Sequence, residues 1–278
     1  MLYRTYIPSP LLAPYVRFFW ALEADASCDE DFVHRSMADG SVEIVFHYLG
    51  AFDEISRTGS LESSPLSNIQ AQSTRPRRFA TREKFGIFGA YLYPFAIPRF
   101  FGLPASDFTG LAPDLWSALG NEGRELAEMV NCAASNEQRV AIVTRYFERR
   151  LSLVNRALPP LHRAVRSIID AKGDVNIAHL SREYSLSIRQ FERKFKEIAG
   201  LPPKLYSRVI RFQAATQFRL DGVRDLTEIA YACGYYDQSH FIKEFREFSG
   251  YTPKEYFWNS AEGTQYMETE KMSHFSNS

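Results

Sequence analysis

Apolar and polar positions follow two different rules along this chain. Up to about residue 93 the apolar residues come in short runs rich in Val, Ile, Phe and Tyr, bounded by turn-prone stretches such as Ala38-Asp39-Gly40-Ser41. Runs of that length and composition read as strands, and they predict strands over 15–22, 42–49, 69–73 and 85–93. After Pro94 the apolar spacing changes to three and four, which predicts helices over 115–130 and 138–151. The first half is therefore expected to be a small barrel or sandwich followed by two or three helices. Ala157-Leu158-Pro159-Pro160 then interrupts the chain, because adjacent prolines remove two backbone donors and disfavour helix in the residue before them. This predicts a β-rich domain over 1–157, a second domain over 158–258, and a polar, aperiodic stretch over 259–278 that reads as a disordered tail. At 278 residues the chain is long enough for two cores.

From Leu161 onward the pattern is helical throughout and contains a repeat. Phe191, Phe195, Lys196, Glu197, Gly200, Pro203, Lys204 and Tyr206 return as Phe241, Phe245, Arg246, Glu247, Gly250, Pro253, Lys254 and Tyr256, always 50 positions on. Two copies are fewer than the roughly three that a solenoid needs, so one domain built from two supersecondary units is the better reading. Each copy holds a short helix, a turn and a longer helix. In the first, Asn176 caps a helix over 177–184, Ser185 and Leu186 turn, and Ser187 caps a helix over 188–199. In the second, Asp225 caps a helix over 226–233 with Glu228 completing a capping box, Gly234 turns, and Asp237 caps a helix over 238–249 that ends at Gly250 and Pro253. This is the helix-turn-helix pattern, and the class is α+β: a β-rich domain, then an all-α domain.

The longer helices are two-faced. Ile188, Phe191, Phe195 and Ile198 share one side in the first copy, leaving Arg189, Gln190, Glu192, Arg193 and Lys196 outward. In the second, Phe241, Phe245 and Phe248 form the apolar stripe, leaving Gln238, Ser239, Ile242, Lys243 and Arg246 outward. Arg pairs bidentately with guanine and Gln with adenine in the major groove, so these ridges have the chemistry of base reading. A solvated face of an amphipathic helix would look similar; two capped copies of one design weigh against that reading. A helix over 205–220, with Tyr206, Val209, Ile210, Phe212 and Ala214 on its apolar side, joins the copies. Its roughly 24 Å length would set the two ridges near one DNA turn apart, roughly 34 Å.

Ile229-Ala230-Tyr231-Ala232-Cys233-Gly234-Tyr235-Tyr236-Asp237-Gln238-Ser239-His240-Phe241, followed by Phe245 and Gly250-Tyr251-Thr252-Pro253-Lys254-Glu255-Tyr256, resembles the C-terminal signature of the AraC/XylS family. The first copy, from Leu180 through Ser187 with Phe191, Phe195, Gly200 and Pro203, is similar to that family's first helix-turn-helix. The resemblance implies a DNA-binding transcription regulator, an activator as most of the family are, whose two recognition helices enter successive major-groove segments. Carried over by position, the base-reading residues it implies are Arg189, Glu192 and Arg193, then Gln238, Ser239, His240 and Lys243. Ser181 stands where the family has Ala, and Ser185 where it has Gly; a serine in a left-handed turn costs roughly 1 kcal/mol. The first half resembles, through residues 14–20, 39–44 and 86–94, a domain that precedes this module in many uncharacterised regulators. That implies a regulatory role and names no effector.

Charge and chemistry refine this picture. The net charge is zero, yet residues 156–258 carry 17 Lys and Arg against 12 Asp and Glu, so the basic excess lies where the recognition helices are expected. Double-stranded DNA and RNA polymerase are the expected partners, with a small-molecule effector and a homodimer as further candidates. Neither a signal segment nor an apolar run of about 18 residues appears, so the expected location is the cytoplasm, away from membranes. Cys28, Cys132 and Cys233 have no paired spacing. His34 and His47, with Glu43 and Asp39, suggest a cupin-like metal site in a sensor or enzyme domain; a metal wants three or four converging ligands, so no metal and no cofactor are expected. No phosphate loop, nucleophile elbow or zinc-peptidase motif is present, and no catalytic residue is assigned. Phe18, Phe19, Trp20, Phe85, Phe88, Tyr91, Tyr93 and Phe95 read first as core, and alternatively as the lining of an apolar pocket. Arg75-Pro76-Arg77-Arg78 reads as an exposed hairpin tip. A regulator without any ligand, governed by a partner protein or by abundance, also stays open.

Overall fold

A computed structural model describes residues 1–27, 32–56, 58–153, 160–218 and 226–258. The first part holds two antiparallel sheets. One has the order β1 (Leu2–Tyr6), β2 (Val16–Asp25), β9 (Lys84–Leu92), β4 (Val42–Leu49) and β7 (Ser67–Gln70); the other is β3 (Phe32–Ser36), β8 (Arg77–Thr81), β5 (Asp53–Ile55) and β6 (Leu61–Ser63). Successive strand residues point to opposite faces, so in β2, β4 and β9 one set of side chains, Phe19, Ile44, Phe46, Phe88 and Ala90, packs against helices. The alternate set, Trp20, Leu22, Val45 and Ile87, packs towards the second sheet. Burial on both faces is why these strands read as unbroken apolar runs. The domain is thus a sandwich of two sheets with helices on the outer face of the larger one.

Four of the expected strands are present, with ends moved by a few residues; the third lies at Ser67–Gln70 instead of 69–73. The second sheet and β1 have no apolar signal strong enough to predict them. Every side chain of Leu61–Ser63 is exposed, and Arg77 and Arg78 open β8. The basic run at 75–78 is therefore only in part a hairpin tip: Arg75 is exposed, whereas Arg77 lies in a strand and donates through Nε to Glu54 Oε1 at 2.7 Å.

The helices number more than two or three. They are α1 (Ala96–Phe101), a 3-10 turn at Ala105–Asp107, α2 (Leu115–Leu119), α3 (Asn121–Asn131) and α4 (Asn136–Leu153). The single helix expected over 115–130 breaks at Gly120, where φ is +65° and ψ −147°, a conformation that a residue with a Cβ resists. The apolar spacing runs through the break, which hides it from a periodicity reading.

The C-terminal part is helical throughout its described residues: α5 (His162–Asp170), α6 (Ile177–Glu183), α7 (Ile188–Ala199), α8 (Pro203–Thr216), α9 (Leu226–Ala232), α10 (Gln238–Ser249) and α11 (Pro253–Trp258). The joining helix starts earlier and stops sooner than 205–220, and its inward alanine is Ala215, not Ala214. Residues 154–159, which contain the expected domain boundary, and 259–278, the expected tail, lie outside the described residues.

The two parts share a core: Ala38 and Phe95 of the first are buried in the same cluster as Phe195, Tyr206, Phe212 and Phe245 of the second. The loop 37–41 presses on α8. A Cβ on Gly40 would stand 2.9 Å from both Ile210 Cδ1 and Tyr206 Cε2, so only a glycine permits this approach. Beside it Asp39 Oδ1 accepts from Gln213 Nε2 at 2.8 Å, and the Ala38 amide donates to the Phe248 carbonyl at 2.9 Å. Gly40→Val should lever the two parts apart without unfolding either. Small-angle scattering is expected to show a larger radius of gyration, with far-ultraviolet dichroism unchanged.

Candidate nucleic-acid interface

The two helix-turn-helix units fold for reasons written in their caps. Asn176 Oδ1 accepts from the His179 amide at 2.9 Å and starts α6. Ser187 and Gln190 form a full capping box that starts α7, and Asp237 Oδ1 accepts from the His240 amide at 2.7 Å to start α10. Asp225, the expected cap of α9, lies outside the described residues.

The turns repeat their hydrogen bonds at a spacing of 49, one less than the helices. Ser185 N donates to Arg182 O and Leu186 N to Ser181 O; in the second unit Gly234 N donates to Tyr231 O and Tyr235 N to Ala230 O. The second turn therefore holds one more residue, Tyr236, which stands 88% exposed immediately before the cap of α10. Ser185 has φ +53° where Gly234 has +72°, so the serine does occupy the left-handed turn conformation.

Among the residues expected to read bases, Arg189, Gln190, Glu192, Arg193 and Lys196 on α7 are exposed, as are Gln238, Ser239, His240, Lys243 and Arg246 on α10. Phe191, Phe195, Phe241, Phe245 and Phe248 are fully buried behind them. Two side assignments change. Ile188 is 50% exposed, because the first turn of α7 projects past the core. Ile242 is partly buried against the core, since α10 is packed on two sides. Two ridge residues have partners within the helix: Arg193 Nη1 lies 3.5 Å from Glu197 Oε1, and His240 Nε2 lies 3.5 Å from Glu244 Oε2. The exposed Arg193 pair is weak and leaves the guanidinium available.

Sequence reading missed Glu244, whose side chain is 1% exposed. It accepts from Arg208 Nε at 2.7 Å and from the Tyr235 hydroxyl at 3.0 Å, which ties α10 to α8 and to the turn before it. Burial and the Glu244 carboxylate hold the Tyr235 hydroxyl far above its usual range, so it stays a donor. Cys233 is buried in the same unit, its thiol pushed up to about 11, which fits a packing role and not a reactive one. Cys132 is exposed, and Cys28 lies outside the described residues.

The first domain grips the far ends of α7 and α10. Thr109 Oγ1 donates to the Gly200 carbonyl at 2.8 Å, beside Gln72. At the matching position of the second unit, Pro76 and Arg35 stand over Gly250, and the Arg35 guanidinium lies 3.9 Å from the centre of the Tyr251 ring. Between the two sheets, with α5 and α8 along one side, lies a cavity of about 500 Å³. The aromatic residues divide accordingly: Phe19, Phe85, Phe88 and Phe95 are core, whereas Phe18, Trp20 and Tyr91 line the cavity. His34 and His47 also line it, His34 stacked on the Phe79 ring and His47 tilted against that of Phe52. Burial pushes both imidazoles down to about 4, and among the described residues no group of three His, Cys, Asp or Glu converges as metal ligands would.

Residues 180–258 match the model of a helix-turn-helix domain. The C-terminal domain is an AraC-type helix-turn-helix domain. Residues 4–113 match a domain of unknown function, DUF6597. Among characterised relatives, the HTH-type transcriptional activator RhaS of Escherichia coli is 32% identical over 82 residues, which is 30% of this chain and 30% of RhaS. The chain thus matches about a third of the length of these relatives. Among solved structures, ToxT from Vibrio cholerae aligns with 86% of this chain and 97% of its own at 15% identity and a TM-score of 0.46. The C-terminal domain of AraT, a response regulator from Geobacillus stearothermophilus, aligns with 37% of this chain and 87% of its own at 24% identity and a TM-score of 0.34.

Two tests follow from the AraC-type domain and the cavity beside it. Ser185→Gly relieves the left-handed strain, partly offset by the freer unfolded chain, so thermal unfolding should show a net gain of about 0.5–1 kcal/mol. Both histidines have folded values below their unfolded value near 6.5, so the unfolded chain binds more protons between about pH 6.5 and 4. Stability from this source is complete above pH 6.5 and falls as pH drops. A pH series of melting temperatures should show that the double variant His34→Phe, His47→Leu flattens the decline between pH 6.5 and 5.

Proposed function

We propose that this protein is a sequence-specific transcription regulator that binds double-stranded DNA, an activator that reads two successive major-groove segments with α7 and α10. The observation that carries the reading is the pair of capped helices 50 positions apart, each with a buried phenylalanine stripe and an exposed ridge that includes Arg, Lys and Gln. The ridge side chains remain exposed while the first domain holds the far ends of both helices, which supports DNA binding without separation of the two parts. The description of RhaS as an activator supports the sign of regulation, and an activator has RNA polymerase as its partner. The cavity supports a small-molecule effector, because its size suits a cofactor- or drug-sized ligand and its wall includes α8, which joins the two units. A homodimer would present two such domains to a longer operator. The rival metal-dependent sensor or enzyme is not favoured, since His34 and His47 pack on phenylalanine rings, and no catalytic residue is proposed.

The test is Arg193→Ala in the full chain, measured by gel shift and footprinting at several salt concentrations. Arg193 is 67% exposed, so melting should change by under about 0.5 kcal/mol. A bidentate contact to guanine predicts a loss of about 1–3 kcal/mol in affinity and relaxed preference at one base pair. The wild-type footprint should hold two protected segments about 10 base pairs apart. One patch of four or five base pairs would remove one helix from the reading. Phe195→Ala is the control: it deletes a buried ring and should cost about 3–5 kcal/mol of stability.

A further inference from the structure

The inter-sheet cavity has two chemically different ends. Its deep end is walled by aromatic rings, among them Trp20, Phe32, Phe52 and Phe79, on sheets whose usual separation of about 10 Å leaves a slot once the side chains are in place. Three polar atoms of residues lining this end, Trp20 Nε1, His47 Nδ1 and Asn68 Oδ1, are buried without a hydrogen-bond partner, the last on a side chain 2% exposed whose amide nitrogen is already committed to the Pro65 carbonyl. Unpaired buried polar atoms cost free energy, and in folded proteins they meet water or a ligand. None of the three carries a charge. The charged side chains stand where the C-terminal domain closes the space, and they balance: Arg17, Arg35 and Lys172 against Asp39, Glu43 and Asp170. Asp39 is itself occupied, accepting from the Tyr91 hydroxyl, the Ser41 amide and Gln213.

We infer that this cavity binds an uncharged, planar aromatic molecule with hydrogen-bonding atoms on its rim, inserted between the sheets with one edge against α8. An ionic ligand would leave its charge unpaired among the rings at the deep end, a desolvation cost that the balanced mouth does not offset. A planar neutral ligand fills the slot between the rings and brings no charge to them. Tyr91 and Phe18, stacked at 4.9 Å, form part of the wall, and the Tyr91 hydroxyl leads through Asp39 to Gln213 on α8. Occupancy therefore reaches the helix that spaces the two recognition helices. This last role rests on the regulator reading; binding itself does not.

The experiment uses the full chain without DNA and two probes of one skeleton. N-phenyl-1-naphthylamine is neutral, and 8-anilino-1-naphthalenesulfonate is the same molecule bearing a sulfonate; both brighten on leaving water. The neutral probe should bind saturably, one per chain, at least tenfold tighter than the sulfonate. Val45→Trp, which fills the deep end, should weaken it at least tenfold. Trp20→Phe keeps a ring but removes the adjacent energy donor, so emission sensitised through tryptophan should fall by more than half while directly excited emission persists. This second variant decides the matter if Val45→Trp does not fold. Absence of saturable brightening would mean a water-filled space and would overturn the inference. Equal or tighter binding of the sulfonate would overturn the neutral class. Sensitised emission unchanged in Trp20→Phe would place the probe elsewhere and overturn the site. Each readout is independent of DNA, so loss of DNA binding in the gel shift would leave this result standing, and the reverse.

Discussion

The approach of the 37–41 loop to α8 is the constraint on which the rest of the arrangement depends. Gly40 lets the loop backbone lie against the side chains of Ile210 and Tyr206, where a methyl group would collide, and beside it Asp39 reaches Gln213. The same carboxylate receives the Tyr91 hydroxyl from the centre of the larger sheet. One loop thus links the sheet, the inter-sheet cavity and the helix between the two helix-turn-helix units. Because the contact falls on α8, near the Phe248 carbonyl at the end of α10, it bears on the spacing of the units more than on either alone.

That geometry separates what holds the DNA-binding domain together from what it presents. Its inner faces are phenylalanine packed on phenylalanine, with Phe195, Phe212, Phe245 and Tyr206 in edge-to-face contact across three helices. Such packing tolerates little change in shape, whereas the exposed ridges make few contacts and can change with little effect on folding. Glu244 is the exception, a buried carboxylate in an otherwise apolar stripe, held by Arg208 and Tyr235. Removing one partner of such a buried set is costly, because the other is left without compensation. The two units also differ in their turns: the first stores left-handed strain at Ser185, and the second relieves it with Gly234 and adds Tyr236 to its outer surface.

The cavity illustrates how a lining can look like core in the sequence. Phe18 and Trp20 flank Phe19 on one strand, yet Phe19 is sealed against helices while its neighbours face a space of about 500 Å³. The difference is only the period-2 alternation of a strand, applied to a sheet covered on both sides. His34 and His47 belong to the same wall, and their low values reflect loss of water above all, with His47 adding to the effect on His34.

The residues alone determined the helix-turn-helix units, because everything that specifies them is local: Asn176, Ser187 and Asp237 as caps, phenylalanines at helical spacing, and a repeat that carries its own register. The outward ridges followed from the same spacing, and the resemblance of 229–256 to a known signature agreed with them. Other features depended on contacts between segments far apart in sequence. The second sheet is made of strands too short and too exposed to leave an apolar pattern, so only pairing reveals it. The break at Gly120 is invisible while the spacing continues through it. Ile188 turned outward because a helix's first turn overhangs the core it caps. Glu244 carries no local sign of its burial, because its partner Arg208 lies 36 positions away. Whether Trp20 is core or lining was likewise decided only by tertiary structure, since periodicity assigns a side chain to a face but cannot say whether that face meets protein or empty space.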